Sequence, residues 1–312
     1  MDTKLFKFNT IVMYGEKMYL GIYKFSEEWM KIEAELDRKS EKTISEIVSK
    51  YDKARYAWNY IRNNNFIKGL WEMSDYIVVG KMQYNAHGDT HARVVAANGL
   101  KILNILLNKN VNVDIIKDGI GDVDDANLVV LVSALLHDIG NQVNRKDHNL
   151  HSCILAMPIL DKLLPQIYRN DFKISQIRAC ILHAIYTHME DLKSYTTEAS
   201  IVKLADGTDI TKGRSRLPYD LGNVDIHVIS AMSVEDVEIV PGDEKPVEIR
   251  IYMTNSAGVF QVEEILYRKL VAGVLTGLVK IVAKTIPEKI ETDKRIVRKI
   301  VSEKNRFIHI KD

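Results

Sequence analysis

The spacing of apolar and polar positions changes along the chain, and each change predicts a different element. From Lys4 to Phe25, aromatic and β-branched residues flank Tyr14-Gly15-Glu16-Lys17, the pattern of a β-hairpin. Two charged amphipathic helices are predicted next, one behind Ser26 as N-cap and one near Thr43, where Ile44, Ile47, Val48 and Tyr51 recur at helical spacing. From about His87 to Arg216 the period stays helical, which predicts helices at about His91–Leu107, Asn127–Gly140, Asp147–Leu164, Ile174–Met189 and Thr197–Ile210. In the second of these, Leu128, Val129, Leu131, Val132, Leu135, Leu136 and Ile139 crowd every face, so it is expected to be the buried centre of a bundle.

After Leu217-Pro218 the period falls to two. Val234–Val240 and Val247–Met253 alternate around the loop Pro241-Gly242-Asp243-Glu244-Lys245-Pro246, which predicts a hairpin. An amphipathic helix at about Val259–Ala272, a strand at Leu278–Ala283 and a basic helix near Thr292–Lys304 complete a small α+β unit. The expected fold class is mainly α: a helical bundle at 81–217, a short N-terminal region at 1–80 with a hairpin and helices, and a C-terminal α+β domain at 218–312.

Composition narrows the classes. With 312 residues, 46% hydrophobic, the chain can bury a core without a structural metal or disulfide, so any metal would serve chemistry. Its 43 basic and 42 acidic residues argue against a surface built for nucleic acid or an anionic membrane. The two cysteines, Cys153 and Cys180, lie in apolar stretches and suit a reducing compartment. Leu270–Val279, with two glycines and an end at Lys280, is too short to span a bilayer, and Met1–Thr10 has no secretory pattern. A cytoplasmic protein is expected.

Candidate chemistry concentrates in the bundle. His87 and His91, four apart, share a helical face, and His137-Asp138 ends the most apolar helix, where ionisable groups are costly. His148, His151, His183 and His188 follow within helical patterns, and Asp206 and Asp209 close another apolar helix. Imidazole with carboxylate and no thiolate is a ligand set for hydrolytic rather than structural metal sites.

The order His91, His137-Asp138, Asp206, centred on Leu135-Leu136-His137-Asp138-Ile139-Gly140, resembles the HD superfamily of metal-dependent phosphohydrolases, over roughly Lys81 to Arg216. The resemblance implies an all-helical HD-domain bundle in which His91, His137, Asp138 and Asp206 hold a divalent ion. In two-metal relatives further histidines contribute, and the matching positions here are His148 and His188. Arg145-Lys146-Asp147-His148 with Ser152 fits the third motif better than His151 does. His188 continues the face of Ile177, Ile181, Ala184 and Ile185, whereas His183 lies about 140° away. Asp138 would bridge the ions, and Asp138 and Asp206 would be the catalytic carboxylates. The implied cofactor is one or two divalent transition ions per chain (Mn, Fe, Zn, Co or Ni, with Mg also open).

Two departures stand out. Asn141 occupies a position that is Lys or His in many relatives, so phosphate charge must be met elsewhere; and the Gly-Tyr-Pro signature of cyclic-dinucleotide-specific members is absent after His188. Arg93, Arg145 and the basic run Lys212, Arg214 and Arg216 are the candidate phosphate-binding residues.

Other readings fail on their motifs. Gly119-Ile120-Gly121 lacks the rest of a dinucleotide fingerprint, no phosphate-loop run or serine-hydrolase elbow occurs, and the His87/His91 pair lacks a zincin glutamate. Asp118, Asp122, Asp124 and Asp125 do not match a calcium loop, and capping by Asp124 or Asp125 explains them better. The basic stretch Lys284–Lys311 is interleaved with Glu288, Glu291, Asp293 and Glu303, the pattern of a salt-bridged surface.

The function expected is hydrolysis of a phosphomonoester or phosphodiester of a nucleotide or other small metabolite by water acidified on metal, without membrane or nucleic-acid partners and with a homo-oligomer left open. The alternative is a regulatory module that binds metal and nucleotide without turnover.

Overall fold

The computed structural model describes residues 11–14, 17–20, 27–215, 225–286, 299–303 and 306–309. Arg216, the 217/218 boundary and most of the expected basic helix lie outside them. A two-stranded hairpin, β1 (Ile11–Tyr14) and β2 (Lys17–Leu20), precedes the helices. The two helices expected behind Ser26 and near Thr43 are one, α1 (Glu27–Val48), because its buried face continues through the charged segment around Lys39–Lys42 by way of Ser40 to Ile44 and Val48. Two further helices, α2 (Asp52–Arg62) and α3 (Asn65–Val78), follow.

The bundle consists of α4 (Asp89–Asn108), the single turn α5 (Asp114–Lys117), α6 (Val123–Leu136), α7 (His148–Leu163), α8 (Asp171–Tyr186) and α9 (Thr197–Thr208). Helix α6 is its axis, packed against α2, α4, α8 and α9 and buried from Asp125 to its end. Both ends of α6 are fixed locally. At its start, Asp122 and Asp125 form a reciprocal capping box, which satisfies two of the orphan N–H groups of the first turn. At its end, His137 Nδ1 donates to Ala134 O at 2.8 Å and Trp71 Nε1 to Leu135 O at 2.8 Å, so last-turn carbonyls find donors inside the protein.

The aspartates before α6 are structural. Asp124 accepts from the N–H groups of Lys53 and Ala54 and caps α2. Asp125 accepts from Lys53 Nζ at 2.7 Å, Tyr168 Oη at 2.5 Å and Lys173 Nζ at 2.9 Å, joining α2 to the start of α8.

Beyond α9 comes α10 (Ile226–Met232), then β3 (Val234–Pro241) and β4 (Val247–Met253) as the expected antiparallel hairpin. A crossover returns the chain to β5 (Val279–Thr285), parallel to β4 with Val247 opposite Val279. It contains a π-helical stretch, Gln261–Tyr267, that continues as α11 (Arg268–Val271). β6 (Lys299–Glu303) and β7 (Arg306–His309) complete the order β3-β4-β5-β6-β7. The expected basic helix near Thr292–Lys304 is therefore strand over 299–303, where β-branched Ile300 and Val301 pair with the edge of β5. Val247, Ile249, Ile251 and Met253 with Val279, Ile281 and Ala283 join the same hydrophobic core as the bundle. No helix of the described residues is long and apolar enough to cross a membrane.

Although burial opposes its charge, the hydrogen bonds from Lys53, Tyr168 and Lys173 hold the Asp125 carboxyl at about 2 against an ordinary 3.8. Its contribution is complete above about pH 4 and is lost as pH falls through its folded value. Asp125→Asn is expected to cost about 2 kcal/mol at neutral pH. In urea unfolding the gap from wild type should close between about pH 4 and 2, and a gap constant over that range would refute the assignment.

Candidate metal centre

Four imidazoles and two carboxylates converge at the end of α6. His137 and Asp138 stand just beyond its last turn, His91 on the first turns of α4, His148 at the first residue of α7, His188 just past the end of α8, and Asp206 on α9. All six are buried. Three of the histidines are oriented by one local device, a hydrogen bond from Nδ1 to the carbonyl three residues back: Ala134 for His137, Arg145 for His148 and Ile185 for His188, at 2.7–2.9 Å. His91 is held from afar, its Nδ1 lying 2.6 Å from Asp209 Oδ2. With Nδ1 committed to an oxygen in every case, Nε2 is the atom each ring turns toward the cluster.

Two groups of those atoms share Asp138, and a third set, His137, His188 and Asp206, overlaps both. His91 Nε2 lies 3.2 Å from His137 Nε2, 3.4 Å from Asp138 Oδ2 and 3.3 Å from Asp206 Oδ1, and His137 Nε2 lies 3.4 Å from Asp138 Oδ2. On the other side, His148 Nε2 is 3.0 Å from His188 Nε2 and 3.2 Å from Asp138 Oδ1, and His188 Nε2 is 3.6 Å from that same oxygen. Donors bound at about 2.1 Å to one ion sit roughly 3.0–3.5 Å apart, so both groups fit a transition-metal ion. These are buried His/Asp groups able to hold a metal.

The electrostatics suit a cation. Burial opposes charge on Asp138 and Asp206, yet His137 and His87 beside the first, and Lys269 and His91 beside the second, hold both carboxyls well below the usual range. Burial drives His188 well below its ordinary value, which keeps its ring neutral and its lone pair available. Against burial and the Arg214 guanidinium, hydrogen bonds to Asp138, Asp206 and Asp209 pull His91 up to about 10. The field that favours a proton on His91 also favours a divalent ion in its place.

Glycine permits the close packing. A Cβ on Gly140 would fall 2.1 Å from His148 O and 2.4 Å from Ser152 N, so the turn after Asp138 could not seat the start of α7. Gly140 N–H instead donates to Ser152 Oγ at 2.8 Å. Asn141 donates its Nδ2–H to Asp138 O and accepts from Arg145 Nη1 at 3.2 Å, so Arg145 brings a cation to the place where Asn141 supplies none.

A cavity of about 360 Å³ opens beside the cluster. Of the expected phosphate-binding residues, Arg145 and Arg214 line it, with Arg214 Nη2 3.4 Å from His91 Nε2. Arg93 does not: its guanidinium is buried over Trp71 and paired with Asp37 at 2.6 Å, Glu41 and Asp89, a structural ion cluster. Lys212 is paired with Glu235 at the surface, and Arg216 lies outside the described residues. His151 and His183 stay out of the cluster, the latter stacked on Tyr195.

Sequence reasoning named His87 and Asp209 without giving them a role in the site, and it overlooked Lys269. His87 lines the cavity with Nδ1 on Asn85 O and its N–H on Asp75 Oδ1, whose carboxyl burial pushes up to about 7. Its ring is driven well below the ordinary value by burial, then by Arg214 and Arg145. His87 precedes α4, so the shared helical face expected for His87 and His91 is not what brings it to the site; nothing local marks Lys269.

The family model described as HD domain matches residues 89–211, a span containing all six converging residues. The chain belongs to this superfamily of metal-dependent phosphohydrolases. It is similar to an uncharacterized protein of Methanocaldococcus jannaschii, 43% identical over 226 residues, which cover 72% of this chain and 85% of the relative. No solved structure matches it.

Asp209→Asn is expected to weaken Mn²⁺ binding by about 10- to 100-fold in calorimetric titration, because His91 loses the carboxylate that orients it. Unchanged affinity would remove Asp209 from that role. A cation entering beside His91 displaces a proton below pH 10, so wild-type affinity should rise with pH, by about tenfold per unit between 6 and 8. A flat profile would contradict the ligand role of His91.

Proposed function

We propose that the protein is a metal-dependent phosphoric ester hydrolase, a phosphomonoesterase or phosphodiesterase acting on a nucleotide or other small phosphorylated metabolite. The observation that carries this reading is the divided carboxylate of Asp138, with one oxygen in each group of imidazoles, beside a cavity lined by Arg145, Arg214 and Lys269. His91, His137, Asp138 and Asp206 would hold one ion, and Asp138, His148 and His188 a second. A divalent cation there supplies Lewis acidity, making a water acidic and screening charge on the phosphoryl oxygens.

The chain's own side chains supply the rest. Arg145 and Arg214 stand where they can take phosphoryl oxygens and aim phosphorus at the cluster. His87, with Nδ1 committed to Asn85 O, offers Nε2 as an acceptor for a proton of water or of a substrate hydroxyl. The cavity's size suits a small metabolite rather than a polymer, and Val228 and Ile265 add apolar surface to its wall.

The test is turnover of a panel of phosphomonoesters and phosphodiesters by protein stripped with chelator and reloaded with Mn²⁺, Co²⁺, Ni²⁺, Fe²⁺, Zn²⁺ or Mg²⁺. Hydrolysis of one ester class that requires added metal is expected, with His137→Ala and Asp138→Ala reduced by about a thousandfold or more. Turnover indifferent to chelator, or none with any metal, would overturn the proposal.

A further inference from the structure

Lys269 lies 58 positions beyond the last residue of the family match, yet it touches both halves of the cluster. Its Nζ donates to Asp206 Oδ2 at 2.5 Å and to His188 O at 3.0 Å. Asp206 thus has one oxygen, Oδ1, toward His91 and His137 while the lysine keeps the other. An ammonium has three N–H groups, and these two bonds leave one. Lys269 is itself part of the cavity wall, with Ile265 and Gln261 four and eight residues before it along one face of the crossover helix.

The approach that brings it there is built into both partners. Gly207 follows the ligand carboxylate, and a Cβ at that position would lie 3.1 Å from Lys269 Cδ and 3.3 Å from Leu266 Cα. Glycine next to Asp206 lets the crossover helix settle directly on α9. The helix reaches this point through the π-helical stretch Gln261–Tyr267, a winding that is rare and concentrated at functional sites.

We infer that Lys269 is a phosphate ligand of the active site as well as the group that positions Asp206, so the C-terminal segment forms part of the site rather than a separate appendage. The inference rests on the phosphohydrolase reading and deepens it. In this role the remaining N–H of Lys269 meets a phosphoryl oxygen in the cavity that Arg145 also lines. Gln261 extends the same wall toward the rest of the substrate: its Nε2 is committed to His227 O and Ser230 Oγ, both at 2.9 Å, which leaves Oε1 to accept from a hydroxyl or amino group. A lysine that only anchored Asp206 would matter to metal binding alone; one that also binds phosphate matters to a second, separable equilibrium.

The experiment titrates inorganic phosphate into the Mn²⁺-loaded full-length protein by calorimetry, with Mn²⁺ stoichiometry measured in parallel, for wild type, Lys269→Met and Lys269→Arg. Lys269→Met is expected to bind Mn²⁺ more weakly, to reach the wild-type stoichiometry at saturating Mn²⁺, and under that saturation to lose at least tenfold in phosphate affinity, with Lys269→Arg recovering part of the loss. Equal phosphate affinity in wild type and Lys269→Met would overturn the inference while leaving the phosphohydrolase reading intact. Wild-type protein that binds neither Mn²⁺ nor phosphate would overturn both. Should the variants not fold, a crystal structure of wild type with Mn²⁺ and phosphate decides: a phosphate oxygen about 3 Å from Lys269 Nζ supports the inference, and phosphate bound beside the cluster out of its reach refutes it.

Discussion

Imidazole lone pairs that face one another in a dry interior repel unless something positive lies between them. His91, His137, His148 and His188 are in that position, with Nδ1 satisfied by an oxygen and Nε2 turned inward within about 3 Å of a neighbour's Nε2. Asp138 and Asp206 add negative charge at the same place. Much of the surrounding architecture serves to hold this arrangement. His137 and Trp71 donate to the last carbonyls of helix α6, Gly140 lets the following turn touch the start of α7, and Gly207 lets the crossover helix reach Asp206.

The balance of charge explains how such a cluster is tolerated inside a protein. Lys269 pairs with Asp206, Arg214 lies beside Asp206 and Asp209, and Arg145 lies beside His148, so positive side chains stand next to the carboxylates and imidazoles of the cluster. Each arginine also has a neutral anchor, Asn141 Oδ1 for Arg145 and the carbonyls of Ala86 and Asp209 for Arg214. Anchored guanidinium groups are preorganised, so little ordering cost remains when an anion arrives.

Much of this was legible in the sequence because it is local. The density of apolar residues from Leu128 to Leu136 marked the central helix, and the His137-Asp138 pair at its end marked the site. His148 and His188 could be separated from His151 and His183 by motif and helical phase, and in the fold the first two owe their orientation to a carbonyl three residues back. What escaped was non-local or masked by charge. Lys269 reaches Asp206 only through the packing of the crossover helix on α9, and Arg93 was drawn away by Asp37 and Glu41 on a helix whose placement the sequence did not reveal. Helix α2 did carry a readable signal, Ala54, Ala57, Trp58 and Ile61 at helical spacing. The strand at 299–303 was hidden because the Lys/Arg-rich stretch around it suggested a solvated helix, while pairing with β5 decides its conformation.

The central claim is that the convergent imidazoles and carboxylates are ligands of metal, and elemental analysis of the protein tests it most directly. Protein purified without chelator or nickel affinity should carry one or two transition ions per chain, and where wild type carries two His188→Ala should carry one, on the His91 side. Wild-type protein that contains no metal and takes up none of Mn²⁺, Fe²⁺, Co²⁺, Ni²⁺ or Zn²⁺ on dialysis would contradict the account.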